Sequence, residues 1–197
     1  SDIPVLNLRE LLLKNKKIKQ IYHRTDSHWT LYGAWLAYKE IIDHLSHIYK
    51  DVTPHGYESF PKRDIKGQSR ADLASMLALQ RSLYGEKFKR IFFPRDIRPE
   101  QIPLKNFKFK KIRTSYFRCE QGVLPKTIMI HDSFGLILKK YMSTSFSEII
   151  FLMDWGFNFF PELIEKEKPS IVIYEIAERF FYRPVPSLPE SKIVKGK

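Results

Sequence analysis

Cysteine is almost absent from this sequence, which contains Cys119 alone among its 197 residues. One cysteine cannot form an intrachain disulfide, and a metal site built on thiolates is not expected either. The neighbours of Cys119 are Arg118 and Glu120, a setting typical of an ordinary strand position. Cysteine chemistry is therefore not expected to carry the function.

Long apolar runs are also missing. No stretch approaches the roughly 20 residues that span a bilayer, and residues 1–8 lack the basic start and apolar core of a secretory signal. Histidines 23, 44, 47 and 55 have no spacing that combines with carboxylates into a zinc site, so no metal is expected.

Acidic residues are scarce relative to basic ones. The 22 Asp and Glu face 34 Lys and Arg, which gives a net charge of +12. This excess favours an anionic partner such as nucleic acid, anionic lipid or acidic polysaccharide. No nucleic-acid signature accompanies the charge, so we do not expect nucleic acid to be the partner.

The hydrophobic pattern predicts one α/β domain. With 43% hydrophobic residues the chain can bury one core, and we assign residues 1–183 to a catalytic domain and residues 184–197 to a basic, mobile tail. In the last third, strands are predicted at 127–130, 148–153 and 170–176, and helices at 134–142 and 157–166. This alternation indicates a parallel sheet flanked by helices.

The first two thirds are less regular. Helices are predicted over residues 5–15, from the capping residue Thr30 to about 49, and over 71–83, with a short strand at 18–22. Residues 88–118 alternate aromatic and basic side chains and predict short strands with connections. The segment around residues 25–30 is then a loop that leads into a helix.

Ser133 stands where open α/β sheets carry their sites, directly after a buried strand and before a helix. Its hydroxyl can serve as a nucleophile, and the amides of the first helical turn can hold an oxyanion. The competing interpretation is that Ser133 caps the helix with the same oxygen. This segment alone does not decide between the two roles.

Asp26-Ser27-His28 supplies the groups that would activate such a serine. A neutral imidazole takes the serine proton through one nitrogen when a carboxylate accepts from the other and fixes the tautomer. Taken alone, an Asp-X-His triplet arises often by chance, and half of a metal site is another interpretation of it. Together with Ser133 it predicts a Ser-His-Asp constellation and serine-dependent acyl transfer.

With these motifs in place, the chain resembles the AlgX/AlgJ-type alginate O-acetyltransferases and the related DHHW proteins of the SGNH (GDSL-type) hydrolase superfamily. In those proteins the Asp-X-His precedes the serine, as it does here. The matching segments are residues 22–30 (Tyr-His-Arg-Thr-Asp-Ser-His-Trp-Thr), 33–34, 72–77 (Asp-Leu-Ala-Ser-Met-Leu), 132–135 (Asp-Ser-Phe-Gly), 168–173 (Lys-Pro-Ser-Ile-Val-Ile) and 178–179.

The resemblance implies an SGNH-like fold, Ser133 as nucleophile, His28 as general base and Asp26 as the orienting carboxylate. It further implies transfer of acetyl to a sugar hydroxyl of a polysaccharide, a membrane-bound O-acyltransferase as donor, no dissociable cofactor, and a periplasmic or cell-envelope location. The net charge of +12, and not the resemblance, predicts that the polysaccharide is anionic. Two departures stand out: His131 replaces the usual glycine before Asp-Ser, and little sequence precedes the Asp-X-His. We therefore expect an N-terminally truncated chain.

Further side chains are candidates for the oxyanion or the substrate. Phe134, through its amide, and Asn158, through its side chain, are candidate oxyanion donors. Trp29 and Trp155 are candidates for stacking on a sugar ring, and Arg24 and His131 for contacting the substrate. Each has a competing structural interpretation: cap or loop for Asn158, core for the tryptophans, an ion pair with Asp26 for Arg24, and a strand end for His131.

Two other functions remain open. The same triad is compatible with an esterase or deacetylase, which differs in passing the acetyl group to water. A noncatalytic polysaccharide-binding protein that retains the motif is the second alternative.

Overall fold

The computed structural model describes residues 3–65, 72–79, 88–104, 112–156 and 158–182. Its elements in chain order are the helices α1 (Arg9–Asn15), α2 (Leu31–Ser46), α3 (Asp72–Met76), α4 (Gly135–Met142) and α5 (Pro161–Glu167), and the strands β1 (Lys62–Asp64), β2 (Lys89–Ile91), β3 (Glu100–Ile102), β4 (Arg113–Arg118), β5 (Thr127–His131), β6 (Glu148–Met153) and β7 (Ile171–Glu175).

The main sheet has the strand order β3-β4-β6-β5-β7. Strand β5 runs parallel to both of its neighbours, because α4 and α5 each return the chain to the same end of the sheet. Strands β3 and β4 add an antiparallel edge. The α/β class with flanking helices is confirmed, and the sheet is mixed, with parallel pairing confined to its β6-β5-β7 part.

Strand β5 is buried along its whole length and divides the core into two layers. Ile128 and Ile130 face one side, where they pack with Leu163 of α5. Met129 faces the other side, in the cluster that includes Leu138 of α4. Burial on both sides explains the continuous apolar run in the sequence, and it makes β5 a rigid support for the residues that follow it.

Helix α2 carries the preceding loop onto this core. The Thr30 side chain accepts a hydrogen bond from the Gly33 amide at 3.3 Å, which caps the helix as its sequence predicts. Gly33 is buried, and a Cβ atom there would lie 2.3 Å from the Ile21 carbonyl oxygen. Only glycine therefore lets the loop approach the helix this closely, and α2 then packs against α4.

Several element boundaries differ from the sequence prediction. Residues 18–22 form only the isolated bridge between Tyr22 and Trp29 in place of a strand. The helix expected over 71–83 begins at Asp72 and ends at Met76, with residues 80–83 outside the described residues, as is the predicted tail 184–197. The helix expected from 157 begins at Pro161, the first-turn position that proline prefers.

In the part of the chain that the structure describes, no helix combines the length and the apolar character needed to cross a membrane.

Candidate active site

The Asp26-Ser27-His28 segment lies in a closed turn ahead of α2. The amide of His23 donates to the His28 carbonyl at 3.1 Å, and the amide of Thr30 donates to the Ile21 carbonyl at 2.8 Å. These two hydrogen bonds pair the segments on either side of the turn, so the position of the residues at its tip is fixed. The geometry explains why a non-repetitive polar segment can hold two functional side chains.

Ser133 follows β5 at the carboxyl end of the sheet. Its hydroxyl oxygen lies 2.8 Å from His28 Nε2, and no side-chain capping bond is formed at the start of α4. The competing interpretation of Ser133 as a helix cap is therefore wrong in this structure. The Asp132 carboxylate accepts instead from the Phe134 amide at 2.7 Å, just ahead of α4.

The second half of the constellation joins Asp26 to His28. Asp26 Oδ1 lies 2.6 Å from His28 Nδ1 and accepts from the His28 amide at 2.9 Å. A carboxylate only accepts, so the proton on the imidazole is assigned to Nδ1 and the lone pair to Nε2, facing Ser133. The structure thus brings Asp26, His28 and Ser133 into one hydrogen-bonded chain.

Burial differs along this chain of three. Asp26 is 6% exposed, whereas the His28 side chain is 27% exposed. A buried carboxylate interacts strongly with a nearby cation because little water screens it. The imidazole can therefore be stabilised when charged and still be reached by a substrate.

Glu175, at the end of β7, supports the segment that carries Ser133. Its carboxyl oxygen accepts from the Asp132 amide at 3.2 Å, while the Asp132 carboxylate accepts from the Ala177 amide at 2.9 Å. Burial, and then the neighbouring Asp132 carboxylate, raise the pKa of Glu175 well above its ordinary value. Glu175 and Asp132 together fix the backbone on either side of Ser133.

The two groups expected to donate to the oxyanion, the Phe134 amide and the Asn158 side chain, form other hydrogen bonds in the structure. The Phe134 amide is engaged by Asp132, so its assignment as a donor is wrong; its ring instead packs against His28, with centroids 4.8 Å apart. The Asn158 side chain donates to Asp154 Oδ1 at 3.0 Å, which matches the alternative role as a loop residue. Among the described residues the Ser133 amide has no acceptor, so it remains the candidate donor.

Two of the candidate substrate contacts are buried. Trp29 is 3% exposed and donates from Nε1 to the Phe134 carbonyl at 3.1 Å. His131 is fully buried, and burial lowers its pKa to about 4. Neither side chain can touch a substrate, so both assignments are wrong, and both residues belong to the core instead.

His131 also accounts for the departure in front of Asp-Ser. Its ring occupies the space beside Gly135, where an added Cβ atom would lie 2.4 Å from the imidazole. The imidazole Nδ1 donates to the Asp132 carbonyl at 2.6 Å. A bulky residue before Asp-Ser is thus accommodated because the first residue of α4 has no side chain.

The remaining candidates stay accessible. Trp155 is 38% exposed and follows β6 at the same sheet end as Ser133, since the Asp154 amide donates to the His131 carbonyl at 2.8 Å. Arg24 lines a neighbouring groove. Both remain predictions as substrate contacts.

Asp72 is a site residue that sequence reasoning missed. Its carboxylate accepts from the Ser27 amide at 2.6 Å and the Ser27 hydroxyl at 2.5 Å. The available signal was its place in the segment 72–77, which matches the family pattern. Glu175 was missed as well, because the sequence of β7 does not indicate that Glu175 will lie beside Asp132.

Asp26, His28 and Asp72 have carboxylate and imidazole atoms within 4.8 Å of one another. Such a group can resemble a metal site. Here His28 Nδ1 carries the proton that Asp26 accepts, and both Asp72 oxygens accept from Ser27. These hydrogen bonds use the atoms that would bind a metal, so we assign no metal to this group.

A groove of about 1300 Å³ opens beside the triad. Its lining includes Arg24 and Thr25, just before Asp26, and Leu136 and Ile137, just after Ser133. Glu58 is the one carboxylate among the described residues that line it. The cationic side chains that line it are Lys19, Arg24, Lys62, Lys89, Arg90 and Lys140.

Residues 1–95 match the family model described as the SGNH hydrolase-like domain of the acetyltransferase AlgX. The structure is also similar to a DHHW family protein from Eubacterium siraeum, with a TM-score of 0.64 and 16% identity over 84% of this chain. The first 95 residues of this chain therefore resemble the SGNH hydrolase-like domain of AlgX. The resemblance inferred from the motifs is thereby confirmed.

Two more solved structures extend this relationship to AlgJ-type and PatB1 folds. The O-acetyltransferase domain of Pseudomonas putida AlgJ has a TM-score of 0.55 and 16% identity, covering 93% of this chain and 63% of that one. Bacillus cereus PatB1 with a sulfonyl adduct has a TM-score of 0.59 and 13% identity, covering 90% and 70%. Identities this low establish the fold alone.

The chain spans 61% of the length of the DHHW protein that it matches. The family-model match contains Asp26, His28 and Asp72, and Ser133 lies beyond it. No curated protein matches the sequence significantly.

Proposed function

We propose that this chain is a polysaccharide O-acetyltransferase that works through an acetyl-Ser133 intermediate. The observation that carries the proposal is the continuous chain of hydrogen bonds from Asp26 through His28 to Ser133, with heavy-atom distances of 2.6 and 2.8 Å. Both distances are those expected of a nucleophile, its base and an orienting carboxylate. The acetyltransferases named among its relatives support the same reaction class.

The reaction has two halves that use the same groups. In the first, Ser133 Oγ attacks the acetyl carbonyl and its proton passes to His28 Nε2. The Ser133 amide stabilises the oxyanion, and the tetrahedral intermediate expels the donor's leaving group, which takes the proton from His28. In the second, a sugar hydroxyl gives its proton to His28 and attacks the acetyl-serine, which releases the acetylated sugar and restores the Ser133 hydroxyl.

The acceptor is proposed to be an anionic polysaccharide bound in the groove beside the triad. The volume of about 1300 Å³ exceeds the 300 to 1,000 Å³ typical of small-molecule pockets and suits several sugar units in a row. Among the described residues that line the groove, six cationic side chains against one carboxylate favour an acidic polymer. The groove touches both segments that carry the triad, which suits a chain whose hydroxyl must reach Ser133.

Aromatic rings hold part of this positive charge in place. Lys19 Nζ lies 4.3 Å and Lys62 Nζ lies 3.7 Å from the centroid of the Tyr57 ring. Cations held over a ring face lose less freedom when they bind an anion. Tyr57 and its two lysines therefore form a preorganised position for an acidic sugar.

An esterase or deacetylase is the second candidate function. The observation that favours it is the partial exposure of the His28 side chain, which lets water as well as a sugar approach the acyl-serine. Delivery of acetyl by a membrane-bound O-acyltransferase and a periplasmic or cell-envelope location belong to the first proposal, and both are supported by the resemblance to AlgX/AlgJ-type proteins.

A covalent-labelling experiment tests the reaction. On incubation with 4-nitrophenyl acetate, we expect the protein to gain one acetyl group that peptide mass spectrometry assigns to Ser133. With an oligosaccharide added, acetyl is expected to appear on the sugar. Acetyl that passes only to water would favour the esterase, and an absence of any Ser133 adduct would point to the noncatalytic alternative.

A binding experiment tests the acceptor. We expect a hexameric uronic-acid oligosaccharide to bind more tightly than the same oligomer with its carboxyls reduced, and more weakly at high salt. Combining Lys19→Ala with Arg90→Ala is expected to weaken binding about tenfold, because two exposed cations leave the groove. Calorimetry without an acetyl donor measures this in the absence of turnover.

The matched control for this pair is Lys50→Ala with Arg95→Ala, which removes the same charge from exposed positions outside the groove lining. The control is expected to bind as the parent does. Equal affinity for the acidic and reduced oligomers, or equal losses in both double variants, would overturn the assignment of the groove.

A further inference from the structure

A second carboxylate, Asp72, holds the tip of the Asp26-Ser27-His28 turn from outside. Its two oxygens accept separately from the amide and the hydroxyl of Ser27, at 2.6 and 2.5 Å. Ser27 lies between the two triad members of this segment. Both of its hydrogen-bond donors are thus directed to one carboxylate that lies 45 residues away in the chain.

Helix α3 adds another contact on the same side. The Ala74 amide donates to the Thr25 carbonyl at 3.2 Å, directly before Asp26. The turn is therefore held on both sides of Asp26, by Asp72 at one end and Ala74 at the other. A displacement of α3 would move the imidazole relative to Ser133.

Asp72 also lies within electrostatic range of the base. Its Oδ2 is 4.0 Å from His28 Nδ1. Burial tends to raise the pKa of Asp72, but the hydrogen bonds from Ser27, together with Leu73 and the charge of His28, lower it overall. Asp72 is therefore ionised near neutral pH and contributes a full negative charge beside the imidazole.

Several described residues surround His28. Asp26 is its direct partner at 2.6 Å, and the Phe134 ring covers one side of the imidazole. The Arg179 guanidinium carbon lies 5.3 Å from the Phe134 centroid. Behind Ser133 lie the carboxyl groups of Asp132 and Glu175. An imidazolium at His28 is thus contacted by Asp26 and approached by Asp72.

We propose that Asp72 is a positioning residue, which fixes the turn through Ser27 and stabilises the imidazolium that forms when His28 takes the Ser133 proton. In that step the O–H bond of Ser133 breaks, the proton binds His28 Nε2, and the positive charge spreads over the ring. Asp26 neutralises it at close range and Asp72 adds a weaker attraction. The inference rests on the proposed function for its catalytic meaning.

Two variants separate the charge of Asp72 from its hydrogen bonds. Asp72→Asn removes the charge and keeps an oxygen for the Ser27 amide. Ser27→Ala removes the hydroxyl bond and keeps both the charge and the amide bond. Asp96→Asn serves as the control for net charge, because Asp96 is exposed and lies outside this cluster.

The first readout is an NMR titration of the imidazole of residue 28, assigned by comparison with His28→Gln. In Asp72→Asn we expect the titration midpoint to fall by about half to one pH unit, since a charge at 4 Å is lost from a partly exposed site. Ser27→Ala and Asp96→Asn are expected to leave the midpoint in place. Equal midpoints in the parent and Asp72→Asn would overturn the inference.

The second readout is the pH profile of kcat/KM for acetyl ester turnover. In Asp72→Asn we expect kcat/KM to fall about tenfold at its plateau and the acidic limb to move down with the imidazole midpoint. Asp72→Glu is expected to restore part of both. A loss of activity with an unmoved acidic limb would indicate a merely structural role and would count against the charge effect.

The results of these two experiments distinguish a failure of the proposed function from a failure of the role proposed for Asp72. A parent protein without ester turnover or a Ser133 adduct would remove the proposed function, while the NMR titration would still decide the role of Asp72. If the parent protein turns over the ester but Asp72→Asn leaves the NMR titration of the imidazole unchanged, only this inference is removed. Thermal unfolding of each variant identifies any protein that has lost its fold.

Discussion

Ser133→Ala is expected to lower acetyl ester turnover by at least about 10,000-fold, to the level of an unactivated reaction. The substitution removes the oxygen that lies 2.8 Å from His28 Nε2 and leaves the base without a nucleophile to activate. Initial rates with 4-nitrophenyl acetate, measured against a protein-free blank, give the size of the effect.

The fold should tolerate this change, because Ser133 does not cap α4 and loses a single side-chain hydrogen bond. The expected loss of stability is about 1 kcal/mol or less. Ser59→Ala, at an exposed position, is the matched control and should turn over like the parent. A Ser133→Ala protein that hydrolyses the ester at the parental rate would exclude Ser133 as the nucleophile.

Asp26→Asn is expected to lower kcat/KM by about 1,000- to 10,000-fold. Asp26 Oδ1 accepts from both the amide and Nδ1 of His28. An amide group cannot reproduce this, because its nitrogen donates and then favours the imidazole tautomer with its proton on Nε2. That tautomer cannot take the proton of Ser133. Single-turnover acylation rates, monitored by release of nitrophenol, would measure the loss.

Combining Asp26→Asn with Asp72→Asn tests whether the two carboxylates act on one imidazole. The combined loss is expected to differ from the product of the single losses, since neighbouring residues that share a partner are not additive. Asp96→Asn provides the charge control. If Asp26→Asn alone retained more than about a tenth of parental activity, the orienting role of Asp26 would be excluded.

The buried strands were the most predictable part of the fold. Strand β6 spans Glu148–Met153 as its apolar run predicts, and β5 extends one residue past the prediction to His131. The direction of β4 was not predictable, because strand direction depends on how distant segments connect and not on local periodicity. The short strands β1 and β2 also depend on each other for pairing, which no local pattern reveals.

The triad could be proposed from the sequence because each of its members has a distinctive residue type and setting. The sequence did not reveal which acceptors take the hydrogen-bond donors around the triad. Asp132 takes the Phe134 amide that was expected for the oxyanion, and Asp72 takes the donors of Ser27. Both outcomes depend on distances of a few tenths of an ångström between side chains and backbone, and a residue pattern does not encode such distances in any readable form.

The base and the nucleophile are separated by 105 positions along the chain. Asp26 and His28 can meet in a local turn, whereas their contact with Ser133 requires α2 to be packed against α4. The proposed acyl-transfer chemistry therefore requires the completed tertiary structure, and a nascent or partly unfolded chain is expected to lack an activated serine. In this protein, the onset of esterase activity during refolding would mark the moment at which the two halves of the domain come together.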